Sequence, residues 1–137
     1  MDPQQCLVLL VGYAALAGGC LAMLQNRSGS RDSGVFVGVE ASGVMLGQLS
    51  VFSASGGALS ITSGRFSYTL GLVGPCYSID TACSSALAAL HVGFGTIALR
   101  ECGKGVGIAA KVLSEAMNHV TSIGGMLSER GRCHTFD

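Results

Sequence analysis

"YSIDTACSSALAALHVG", residues 77–93, places Cys83 between a short β-branched run and a long run of small and apolar residues that carries no charge after Asp80. The first part, "CYSID" (76–80), alternates and reads as a strand, and the run from Ser84 to Arg100 reads as a helix. That helix carries two stripes at spacings of three and four: bulky Leu87, Leu90, Phe94 and Ile97, and small Ala86, Ala89, Gly93 and Thr96. The bulky stripe is expected to fill core and the small one to let a neighbour approach. A helix apolar nearly all round is expected to be central to its fold.

Working outward, "GVFVGVE" (34–40) reads as a buried strand, and "GALSITSGRFSYTL" (57–70) as a helix broken by "GLVGP" at 71–75. "VGIAAKVL" (106–113) reads as a third strand, whereas residues 21–33 and 114–137 read as loop. Strands alternating with helices, the strands rich in valine and isoleucine, point to α/β layers around a mostly parallel sheet. "GVGIAA" (105–110) fits a G-x-G-x-x-A pattern, but it lies within the third strand and not between strand and helix, which argues against dinucleotide binding.

The chain has 137 residues, room for one domain, and 49% are hydrophobic, enough for a core and too many for disorder. Eight basic and eight acidic residues cancel, with no basic run, so nothing draws the chain to nucleic acid. Only 12% of residues are charged, so much of the surface is expected to be covered, either within a larger α/β protein or in a membrane. "CLVLLVGYAALAGGCLAML" (6–24) is long enough to span a bilayer. A buried helix is the favoured reading: Asp2-Pro3 resembles an N-cap and first-turn proline, and Gly18-Gly19 a C-cap that ends the helix too early to cross. The six cysteines have no paired CxxC spacing and no secretory signal ahead of them, so reduced thiols are expected. Asn26-Arg27-Ser28 matches a glycosylation sequon that matters only in a secreted protein, and Cys133-His134 lacks a second half to make a metal site.

Cys83 stands where a helix begins. The free N–H groups and positive dipole end there favour a thiolate and can stabilise an oxyanion, which suits acyl transfer. A buried, inert thiol is the other reading. Thr81, Ser84 and Ser85 can cap the helix or hold the turn, and Asp80 can anchor it. A thiol nucleophile also needs a basic or electrostatic partner. His91 lies about two helical turns on, where a core histidine is expected, and His119 and His134 fall in segments read as loop.

"GPCYSIDTACSSALAALH" closely resembles the active-site signature of β-ketoacyl synthases, above all the ketosynthase domains of modular type I polyketide synthases. "MDPQQ", "GVFVGV", "GGALSITSGRFSYTLGLVGP" and "MLSERGRCHTFD" resemble further blocks of that family, in order, so the resemblance spans residues 1–137. It implies the layered thiolase-like α/β fold, with this chain as most of the first half, an incomplete N-terminal domain. It implies that Cys83 is the nucleophile that takes an acyl group from a carrier-protein thioester, its backbone N–H in the oxyanion hole. Asp80, Thr81, Ala82, Ser84 and Ser85 would support the turn. A malonyl-type extender would then condense with the acyl group, in polyketide or fatty-acid-like biosynthesis.

The resemblance also implies no cofactor bound by this segment, substrates carried on the phosphopantetheine of an acyl carrier protein, and neighbouring synthase domains as partners. A homodimer contact is expected near residues 75–80. The family's two further histidine motifs, His-Gly-Thr and Asn-Ile-Gly-His, are absent from this sequence, as is the strand expected before "MDPQQ". The segment is therefore expected to be a fragment inactive alone, the alternative being a non-catalytic remnant or scaffold. Where relatives place Arg, Glu and Asp on the first helix, this chain has Cys6, Leu10, Ala14, Ala17 and Gly18, expected to mark a covered surface such as a docking site for a neighbouring domain, a weak membrane contact, or drift in a non-functional copy. Lys111 is expected inside the third strand, costly if buried unpaired. A cytoplasmic location is expected, since no signal peptide precedes the first helix.

Overall fold

The computed structural model describes residues 1–25, 32–41 and 53–133. Its centre is β1 (Ser33–Val39), whose seven residues are all buried. A continuous apolar strand of this kind must be covered on both faces and paired on both edges. The sheet has the order β2-β1-β3, with β2 (Cys76–Ile79) and β3 (Lys104–Ala110) both parallel to β1. The expected parallel α/β architecture is therefore present, with all three strands near their anticipated places.

Alternation along β1 sends Val35, Val37 and Val39 to one face, where they pack with Val8, Leu16, Phe66 and Ile108. That layer is supplied by α1 (Pro3–Gln25) and α3 (Leu59–Leu70), with the short α2 (Ser53–Gly57) between them in sequence. Phe36 points the other way and packs with Ala89 and Cys102 beneath α4 (Ser85–Ala98). The result is a three-layer α/β/α sandwich.

The two stripes of α4 are used in the reverse of the expected sense. Ala89, Gly93 and Thr96 are buried against the sheet together with Ser85, while Ala86 is exposed; Leu87 and Phe94 are 71% and 74% exposed, and only Leu90 and Ile97 of the bulky stripe reach over β3, at Gly107 and Gly105. The cause is Phe36, whose ring already fills the space between helix and sheet. A Cβ on Gly93 would lie 2.9 Å from that ring, so the helix must offer small groups there.

Asp2 and Pro3 begin α1 as anticipated: the Asp2 Oδ1 accepts from the Gln4 N–H at 2.8 Å. Gly18-Gly19 does not end it, since the helix runs on to Gln25. Glycine lowers helix stability by about 1 kcal/mol without by itself stopping a helix flanked by Ala and Leu. Among the described residues no helix is long and apolar enough to cross a membrane. The outer face of α1 is nonetheless apolar, with Leu10, Val11 and Tyr13 all more than half exposed.

Residues 114–133, expected as loop, contain α5 (Glu115–Ile123), started by the Ser114 Oγ accepting from the Met117 N–H. Cys6, Cys76, Cys83, Cys102 and Cys133 are free thiols. The sequon at 26–28 and His134 lie outside the described residues.

Candidate active site

The chain leaves β2 at Ile79 and turns into α4 through a short 3-10 turn, Ala82–Ser84, with Cys83 at its middle. Asp80 ties this turn down at two points. Its Oδ1 accepts from the Ala82 N–H at 3.0 Å and its Oδ2 from the Ala41 N–H at 3.2 Å, linking the turn to the end of β1. Ala82 has φ 53°, the left-handed region, where a side chain costs roughly 1–2 kcal/mol. Such a conformation persists only when its surroundings impose it.

The hydroxyls nearby impose it. The Ser85 Oγ accepts from the Thr81 N–H at 2.8 Å and donates to the Ala82 carbonyl at 2.7 Å. The Ser84 Oγ donates to the Thr81 carbonyl at 2.8 Å and lies 2.9 Å from the Thr81 Oγ1. Neither Thr81 nor Ser84 makes a side-chain capping bond at its helix start, so these side chains close the turn instead. None of these bonds uses the Cys83 N–H, and Cys83 is exposed while Cys102 is buried.

Two cavities, of about 260 Å³ and about 200 Å³, share Cys83, Glu40 and Lys111 in their walls. The larger runs toward Leu113, Met117 and Leu127, and the smaller lies against Gly38 and Ala86. Lys111 is not inside a strand: β3 ends at Ala110, and the Lys111 ammonium, half exposed, donates to the Glu40 Oε2 at 2.6 Å. That hydrogen bond is the main cause holding its pKa above the ordinary lysine value. Partial desolvation opposes it, and the charges of Glu40 and Cys83 add to it. Glu40 is itself positioned by α1, whose Gln4 Nε2 donates to the Glu40 carbonyl at 3.0 Å.

Neither His91 nor His119 is brought to Cys83. His91 is exposed on α4, not a core residue, and His119 is exposed on α5, not in a loop. Neither lines either cavity. Among the described residues no cluster of His, Cys, Asp and Glu could hold a metal ion.

Sequence reading missed Glu40 and Lys111 as site residues. A signal was available: each follows the last residue of a strand, and Val39 pairs with Ala110, so both charges emerge together at the carboxyl ends of neighbouring parallel strands. Sites of open α/β sheets form there.

A polyketide synthase for conidial yellow pigment biosynthesis from Emericella nidulans is 36% identical to this chain over 142 residues, covering 99% of the chain and 7% of that protein. A phenolphthiocerol/phthiocerol polyketide synthase from Mycobacterium tuberculosis is 37% identical over 146 residues, covering 100% of the chain and 7% of its own length. Among solved structures, the ketosynthase from module 6 of the bacillaene synthase of Bacillus subtilis 168 superposes with a TM-score of 0.76 at 32% identity, over 100% of this chain and 23% of that one. The chain thus spans under a tenth of these synthases and about a quarter of a ketosynthase. The fold is the thiolase-like fold of the ketosynthases, present in part. The family described as beta-ketoacyl synthase, N-terminal domain, matches residues 1–137. With a parallel sheet that delivers a cysteine to the start of its central helix, and with relatives that are polyketide synthases, this chain belongs to the β-ketoacyl synthase family.

Proposed function

We propose that this chain is the nucleophile-bearing part of a condensing enzyme of polyketide or fatty-acid-like biosynthesis, with Cys83 as the acyl acceptor. The observation that carries the reading is the exposed Cys83 thiol at the point where two cavities meet, on a turn whose strained Ala82 is held by Asp80 and Ser85. The Cys83 thiolate attacks the carbonyl of an acyl thioester carried on the phosphopantetheine of an acyl carrier protein. The oxyanion that forms accepts a hydrogen bond from the Cys83 N–H, aided by the positive end of α4. Collapse expels the pantetheine thiolate, which leaves with a proton, and the acyl group stays on Cys83.

A malonyl-type extender then loses carbon dioxide, its carbanion attacks the Cys83 thioester, and the thiolate is released as the β-ketoacyl product forms. The histidines for the decarboxylating half-reaction come from the remainder of the ketosynthase, so the segment alone is inactive. Partners are an acyl carrier protein, neighbouring synthase domains and a second copy that contacts β2, which lies at an edge of the sheet.

The test is mass spectrometry of the Cys83 peptide after the full-length protein is incubated with an acyl thioester. An adduct on Cys83 that disappears in Cys83→Ala is expected. Adduct formed equally in that variant, or none in either, overturns the reading in favour of a non-catalytic scaffold.

A further inference from the structure

The Lys111–Glu40 pair lines both cavities that meet at Cys83, so an acyl group attached there passes the pair whichever cavity it enters. One N–H of the ammonium goes to Glu40 at 2.6 Å, which leaves two for another acceptor. Because Glu40 already balances the charge, the free N–H groups suit a neutral oxygen better than an anion. The far wall of the larger cavity is largely apolar, with Leu113, Met117, Met126 and Leu127 beside the polar Ser114, Asn118 and Thr121. Two of those polar groups are engaged within the chain: the Thr121 Oγ1 donates to the Met117 carbonyl, and the Ser114 Oγ accepts from the Met117 N–H. A group that is polar close to the thioester and apolar beyond it matches this wall.

We infer that Lys111, held in place by Glu40, is a specificity-determining residue that favours acyl groups keeping an oxygen on the carbon β to the thioester over fully reduced ones. The inference rests on Cys83 being the acyl acceptor. A β-hydroxyl or β-keto oxygen accepts from the ammonium, while a reduced chain offers it nothing and leaves it to water. The Glu40 bond favours the protonated ammonium, so the donors are present at neutral pH. Lys111 is half exposed, so its loss does not remove core packing.

The experiment compares the rates at which N-acetylcysteamine thioesters of 3-hydroxyoctanoate and octanoate acylate Cys83 in the full-length protein. Wild type is expected to prefer the hydroxylated chain by about tenfold, the worth of one hydrogen bond to a charged donor. Lys111→Leu should lose that preference through the hydroxylated substrate alone, and Lys111→Arg should keep most of it. A merely structural role would slow both substrates together, and taking the ratio within each variant cancels any loss of folded protein. Equal rates in wild type, or an unchanged ratio in Lys111→Leu, overturn the inference while leaving Cys83 as acceptor. Acylation by neither thioester overturns both.

Discussion

Lys111 looks in the sequence like a lysine trapped in an apolar strand, and the structure resolves the conflict by ending β3 one residue earlier and supplying Glu40. The pairing carries a pH signature. Below pH 10.5 the ammonium is protonated in folded and unfolded chains alike, so the stabilisation is fully present; it is lost as the pH climbs above 10.5 through the raised folded value. Urea midpoints of wild type should therefore fall more steeply than those of Lys111→Met over that alkaline window, and parallel curves would mean the pair contributes nothing. Cys83 was legible from sequence as a residue at a strand-to-helix junction. The φ of 53° at Ala82 was not, because an alanine gives no sign of left-handed backbone. Contacts from Asp80, Thr81 and Ser85 impose it.

At the scale of elements, the seating of α4 on β1 fixes where Cys83 stands. Gly38 lies under the first turn of that helix, and a Cβ there would sit 2.5 Å from the Ser85 carbonyl oxygen. Backbone cannot yield as a flexible side chain can. Gly38→Ala should destabilise the protein by about 1–3 kcal/mol, an overpacking cost, and slow acylation of Cys83 by displacing its turn. Chemical denaturation and the adduct assay read the two effects, and an unchanged midpoint would refute the close packing. Periodicity predicted the helix correctly but assigned its faces wrongly. Bulk alone does not say which stripe meets the sheet when a ring such as Phe36 already fills the gap. In α5 both the Ser114-Glu115 start signal and an apolar recurrence at Met117, Val120 and Ile123 were present, but the helix is only nine residues long and runs at once into Gly124-Gly125, so the segment read as loop.

For the whole molecule, much of the bulky stripe of α4 is an exposed apolar surface, with Leu90 58% and Phe94 74% accessible although Leu90 also packs over Gly107 of β3. Large apolar patches of this kind mark interfaces. This 137-residue chain expressed alone should self-associate, and Leu90→Lys with Phe94→Lys should reduce that association in sedimentation velocity. A wild-type chain that sediments as a monomer would show that the stripe needs no cover. The sequence by itself determined the α/β order, the parallel sheet, the family and the position of Cys83, because strand and helix periodicity and the "DTACSS" block are local in the chain. Only the tertiary structure decided which face of α4 is buried, that Glu40 and Lys111 meet beside Cys83, and that His91 and His119 stay away from it. Those facts depend on residues 71 positions apart in the chain, such as Glu40 and Lys111, being brought together by strand register, and no local pattern encodes that distance.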